Sequence, residues 1–112
     1  AGQTPQKLMQ AEARRIEKSV DPDDVLVVLD ERGKDLTTVE FANRIAKWKD
    51  DSRNVTFVIG GPDGLDADFK KKADFSMRLS SMTLPHAVAR ILLCEQLYRA
   101  WSILNNHPYH RA

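Results

Sequence analysis

Val25-Leu26-Val27-Val28-Leu29 is an unbroken apolar run, and a second run, apolar but for Thr56, spans residues 55–59, Val55-Thr56-Phe57-Val58-Ile59. Runs of this length with no polar alternation predict strands covered on both faces, the signature of a parallel sheet sandwiched between helices. The flanking segments supply those helices. Upstream, Thr4 is placed to cap a helix that Pro5 opens, and Met9, Ala13, Ile16 and Val20 recur as one stripe to about Ser19. Asp21-Pro22-Asp23-Asp24 stops it. Between the two strands, a charged turn is expected over residues 30–35, and Thr37 with Glu40 three residues on forms a capping box ahead of Phe41, Ile45 and Trp48. Asp50-Asp51-Ser52 closes that helix. Beyond the second strand lies Gly60-Gly61-Pro62-Asp63-Gly64, then a short helix capped by Asp66 and holding Phe69 and Ala73. Residues 75–80 alternate like a third, half-exposed strand, and a long helix runs from about Pro85. Strands alternating with helices in this way predict an α/β, three-layer fold around a mostly parallel sheet, with residues 1–112 forming a single domain.

Composition narrows the class. With 42% hydrophobic and 29% charged residues over 112 positions, the chain has the make-up of an ordinary soluble globular domain, and no apolar run reaches membrane-spanning length. The single cysteine, Cys94, excludes a disulfide framework and favours a reducing, cytoplasmic setting. A formal net charge of +1 neither demands nor excludes nucleic acid, so any basic footprint is local. Lys70-Lys71-Lys72 and the C-terminal tail are the places for one, although a lysine triplet also serves as a plain solvated helix face.

The long helix carries more apolar surface than one sheet covers. Val88, Ile91, Cys94, Tyr98 and Trp101 recur at helical spacing on one face, and Leu93, Leu97, Ala100 and Leu104 on another. Two buried faces imply two partners: the chain's own sheet and a second copy of the chain. A helix buried all round within one domain is the alternative. Spacing does not say which face looks outward.

In parallel α/β sheets, ligands collect outside the carboxyl ends of the strands, near a switch in strand order. Three segments meet that condition: Leu29-Asp30, the glycine turn, and Leu79-Ser80-Ser81-Met82-Thr83-Leu84. The glycine order is Gly-Gly-x-x-Gly, which is neither the dinucleotide fingerprint nor a phosphate-binding loop with its Gly-Lys-Ser/Thr. It reads equally as an ordinary tight turn. A pocket of turn glycines and loop amides with no phosphate-cradling lysine suits an adenosine-like ligand better than a triphosphate.

Val58-Ile59-Gly60-Gly61-Pro62-Asp63-Gly64-Leu65, Leu79-Ser80-Ser81-Met82-Thr83-Leu84-Pro85-His86, Glu95-Gln96-Leu97-Tyr98-Arg99-Ala100-Trp101 and Asn106-His107-Pro108-Tyr109-His110-Arg111 together resemble the bacterial 23S ribosomal RNA pseudouridine N3-methyltransferases of the SPOUT superfamily. Four motifs in the same order make the resemblance specific, and it covers the chain from the first helix to the last residue. It implies a C-terminal trefoil knot, a homodimer built through the long helix, and S-adenosylmethionine held by Leu29, Gly60, Leu79, Ser80, Ser81, Met82, Thr83 and Leu84. The implied acceptor is N3 of a pseudouridine in 23S rRNA presented by an assembled ribosome. Related proteins begin with a strand, a helix and a further strand ahead of the point where this chain starts, and that part of the pattern is absent here.

Methyl transfer from a sulfonium is an in-line displacement, so the chain must align donor and acceptor nitrogen and handle the acceptor's proton. His107, Tyr109, His110 and Arg111 are the groups available for the acceptor, with Tyr109 able to stack on an unpaired base. A solvent-exposed tail is the plainer reading of the histidines. No acidic or cysteine partner sits beside them, which argues against a metal site. His86, at the start of the long helix, reads as a cap or loop contact rather than a base. The rival functions are a noncatalytic module that binds an adenosine ligand and a dimerisation or RNA-binding remnant of the same fold.

Overall fold

The computed structural model describes residues 5–60 and 64–111. The expected cap at Thr4 and the middle of the glycine turn, Gly61-Pro62-Asp63, lie outside the described residues. The element order is α1 (Pro5–Ser19), β1 (Val25–Asp35), α2 (Thr38–Asp50), β2 (Val55–Ile59), α3 (Ala67–Lys71), β3 (Phe75–Arg78) and α4 (His86–Leu104). The three strands form one parallel sheet in the order β2-β1-β3. The central strand is therefore the one that holds the apolar run of residues 25–29, buried where it is paired on both edges and covered on both faces.

Successive β1 side chains point to opposite faces, and the two halves of the core divide accordingly. Val25, Val27 and Leu29 join Phe41, Ala42 and Trp48 of α2, Met77 of β3, and Leu93 and Ala100 of α4. Leu26 and Val28 join Val58 of β2, Ala13 of α1 and Phe69 of α3, with Ile16, Val20 and Ala73 against them. The molecule is thus three-layered. Aromatic edges close the first core, Phe41 on Phe57 and Trp48 on Phe75, each pair with centroids 6.1 Å apart.

Local signals set the helix ends. Thr37 Oγ1 accepts the Glu40 N–H at 3.1 Å while the Glu40 carboxylate accepts the Thr37 N–H at 2.9 Å, the reciprocal capping box read from the sequence. Asp66 accepts the Phe69 N–H at 3.1 Å and starts α3. Asp74 ties the mouth of β3 to β1, its carboxylate accepting the Leu26 N–H at 2.7 Å.

Residues 30–35 depart from expectation. They are not a turn but a continuation of β1, which bulges after Leu29 and re-pairs with β3 through Lys34 and Asp35. Both Leu29 and Lys34 face Met77 in the register, so the intervening residues bow outward opposite one β3 position. Charge suggested a turn, but strand pairing outweighs the poor β-propensity of Asp, Glu and Lys. Gly33 makes the return possible, since a Cβ there would lie 2.6 Å from the Met77 backbone. At the other end of β3, Leu79 and Ser80 leave the sheet earlier than the alternation predicts.

Candidate functional site

The carboxyl ends of β2 and β3 and the bulge that closes the apolar half of β1 open onto one cleft of about 850 Å³, within the range of small-molecule sites. Leu29, Asp30 and Glu31 come from β1 and its bulge, Ile59 and Gly60 from the end of β2, Gly64 and Leu65 from beyond the glycine turn, and Arg78 from the end of β3. The loop adds Leu79, Ser80, Met82, Thr83 and Leu84, and Pro85, His86 and Ala89 form the wall at the start of α4. All the residues expected to hold a cofactor therefore surround a single cleft except Ser81, which is exposed and does not line it.

Short-range bonds shape this rim. Ser80 Oγ accepts the Met82 N–H at 2.9 Å and curls the loop. His86 Nδ1–H donates to the Gly60 carbonyl at 2.8 Å, pinning α4 to the glycine turn. His86 is thus a loop contact in this structure, as its position suggested. Gly60 is needed by the turn itself, because a Cβ there would come within 2.9 Å of the Gly64 carbonyl carbon. Gly64 has φ +85, a left-handed conformation that glycine adopts freely.

The C-terminal tail lies elsewhere. His107, Tyr109, His110 and Arg111 are not among the residues lining the cleft. His107, Tyr109 and His110 fold back on the C-terminal half of α4, which is about 28 Å long at 1.5 Å per residue over its 19 residues. The His107 N–H donates to the Ser102 carbonyl at 2.8 Å, and the Tyr109 hydroxyl donates to Glu95 Oε1 at 3.1 Å. That bond, with some desolvation, holds the Tyr109 phenol above its ordinary pKa. Glu95 also pairs with Arg99, whose guanidinium reaches His110 Nδ1 at 3.4 Å and lies 5.0 Å over the Tyr109 ring. Tyr98 meets Tyr109 edge-on with centroids 4.6 Å apart and stacks on Trp101 at 5.6 Å. The tail is exposed, but it is a fastened structure rather than a loose end.

The outward face of α4 is the one carrying Val88, Ile91, Cys94, Tyr98 and Trp101; Ile91 is 67% exposed and Trp101 49%. Leu93 and Ala100 face the core, with Leu97 half-buried against it. Leu104, grouped with the inner face by spacing, is 37% exposed because it ends the helix beyond the sheet.

Sequence reasoning missed Arg78 and Glu31 as cleft residues. Arg78 is the last residue of β3, where the strand-end rule points, but its charge blended into an alternating strand. Glu31 was concealed by reading residues 30–35 as a turn. Among the described residues, no group of three or more His, Cys, Asp and Glu is arranged to hold a metal ion, and no helix is long and apolar enough to cross a membrane.

Comparison with known proteins adds the family. The family model described as "Predicted SPOUT methyltransferase" matches residues 1–110. The chain is 55% identical over 112 residues, 100% of its own length and 72% of the relative's, to a protein of Bordetella pertussis named ribosomal RNA large subunit methyltransferase H. A protein of the same name from Burkholderia cenocepacia is 55% identical over 111 residues, covering 99% of this chain and 71% of the relative. Another, from Herminiimonas arsenicoxydans, is 56% identical over 108 residues, covering 96% and 69%. With its strand-end cleft, its parallel three-layer architecture and a family match over nearly its whole length, the chain belongs to the SPOUT methyltransferases.

Proposed function

We propose that the protein transfers a methyl group from S-adenosylmethionine to N3 of a pseudouridine in 23S ribosomal RNA, acting as a cytoplasmic homodimer on the assembled ribosome. The observation that carries this reading is the cleft at the three strand ends. Its charged lining residues, Asp30, Glu31 and Arg78, sum to a negative balance that disfavours a triphosphate and favours a cationic sulfonium. Its walls are aliphatic, from Leu29, Ile59, Leu65, Leu79, Met82 and Leu84, as a nucleoside face requires. The names of the relatives point to large-subunit rRNA as the acceptor.

S-adenosylmethionine, held by Gly60 and the loop of residues 79–84, would supply a methyl group from its sulfonium sulfur to N3, with S-adenosylhomocysteine as the by-product and the N3 proton released to solvent. The residues of the chain align the partners. The loop of residues 79–84 and Gly60 offer backbone groups to the nucleoside, while His86 keeps the glycine turn against α4. His110 Nδ1 accepts from Arg99 and His107 Nδ1 accepts from the Tyr109 N–H at 3.2 Å, so in each neutral ring Nε2 carries the hydrogen. Those Nε2–H groups and Arg111 are donors. They serve the acceptor by hydrogen bonding its carbonyl oxygens, which favours the imide anion, rather than by removing its proton.

Cleft and tail sit at opposite ends of α4. Antiparallel pairing of two α4 helices through their outward apolar faces carries one protomer's tail toward its partner's cleft, which is the reason for reading the dimer as the working unit. Deleting residues 106–112 is expected to abolish methylation of ribosomes while S-adenosylmethionine affinity, measured calorimetrically, stays within about threefold of the parent. Comparable loss of both would contradict this division of labour.

A further inference from the structure

Arg78 stands apart from the rest of the cleft. Its Nε is buried and has no hydrogen-bond partner, although buried N–H donors are nearly always paired. Its one ionic contact is weak: a terminal guanidinium nitrogen lies 3.4 Å from the Asp35 carboxylate, whose side chain is 70% exposed. Solvent screens such a pair and limits its worth. Among the described residues lining the cleft, Arg78 is the sole lysine or arginine. A guanidinium with an unused buried donor and a weak carboxylate contact is poised to exchange that carboxylate for a better one, since its planar fork binds carboxylates through two nitrogens.

The opposite charge is placed to complement it. Asp30 is engaged by Lys70 at 3.4 Å. Glu31, beside it on the bulge, lines the same cleft, and neither a hydrogen bond nor an ion pair engages it among the described residues. A cleft presenting one weakly paired cation and one free anion matches a zwitterion, and the methyl donor ends in an α-amino acid. We infer that Arg78 binds the α-carboxylate of the methyl donor, releasing Asp35 as it does so, with Glu31 facing the α-ammonium. This rests on reading the cleft as the S-adenosylmethionine site.

The test pairs two ligands that differ in the carboxylate alone. The parent protein and Arg78→Gln are titrated calorimetrically with S-adenosylmethionine and with decarboxylated S-adenosylmethionine, which keeps the sulfonium and the amine. Arg78→Gln is expected to lose at least tenfold in affinity for S-adenosylmethionine and to bind the decarboxylated ligand as the parent does, which also reports that the cleft is folded. Arg78→Lys is expected to restore part of the loss. Equal loss for both ligands, or none for either, would overturn the assignment of Arg78 while leaving the cofactor reading intact. A parent protein that binds neither ligand would remove the cofactor reading and this inference with it.

Discussion

Gly33 and Tyr109 show how much of this structure hangs on single positions. At Gly33 the returning half of β1 passes so close to Met77 that a Cβ would sit 2.6 Å from its backbone, a separation that neither chain can relieve without breaking the ladder. Gly33→Ala is expected to lower stability by about 1–3 kcal/mol, the usual cost of overpacking, and to shift the midpoint of denaturant unfolding accordingly. An unchanged midpoint would mean that the bulge is freely adjustable. Tyr109 illustrates a linked equilibrium. Its hydroxyl donates to Glu95 while protonated, and its pKa is raised by that bond. A raised folded value contributes stability that is complete below the ordinary phenol value of about 10 and is lost as pH rises through the folded one. In Glu95→Gln the phenol, followed at its ring carbons by NMR, is expected to titrate at lower pH than in the parent. Titration at the same or higher pH would contradict the assignment. Glu40 runs the other way. Bonds from the Thr37 backbone and hydroxyl hold its carboxyl below the usual range, so its capping contribution is present above the ordinary carboxylate value and fades as pH falls through the folded one.

At the scale of elements, the legible parts are those in which local chemistry and burial agree. The apolar run of residues 25–29 declared a strand covered on both faces because both faces of that half of β1 are buried, and Thr37 with Glu40 marked the start of α2 because capping is a contact between neighbours in sequence. The extension of β1 was not legible: its stability comes from pairing with β3, remote in sequence, and its side chains are those of a loop. The same limit hid Glu31 and Arg78 from the candidate site, whereas the loop of residues 79–84 was found because strand ends can be located locally. For α4, spacing revealed two apolar faces without their direction. The structure assigns Tyr98 to the exposed face and Leu97 to the sheet side. Tyr98→Glu is therefore expected to dissociate a dimer while leaving the melting transition of the chain largely in place. Leu97→Glu is expected to destabilise the fold itself, since a charge set against a core must be desolvated without a partner. Sedimentation and thermal unfolding of the two variants separate these outcomes, and equal behaviour of the pair would refute the facing.

The whole molecule is more extended than a self-sufficient domain of its length. Its radius of gyration is 15.0 Å, against about 13 Å for a compact domain of this size. Its surface of 7722 Å² exceeds the roughly 6,200 Å² of a typical monomer of equal mass. Part of that excess is the apolar stripe of α4 with Ile91, Tyr98 and Trp101, which supports pairing of two copies through this helix. A knot is implied by the resemblance alone; it would be a matter of chain threading, which neither hydrophobic pattern nor local propensity encodes. At this scale the proposed activity is a single one, assembled from a strand-end cleft and a remote tail. Its most direct test is to incubate ribosomes lacking the modification with the protein and S-adenosylmethionine carrying a labelled methyl group, then to map the label by mass spectrometry of the digested RNA. Label is expected on N3 of a pseudouridine in 23S rRNA, as the proposed function requires. Label on another nucleotide or on a ribosomal protein, or none despite saturable binding of the methyl donor, would contradict it.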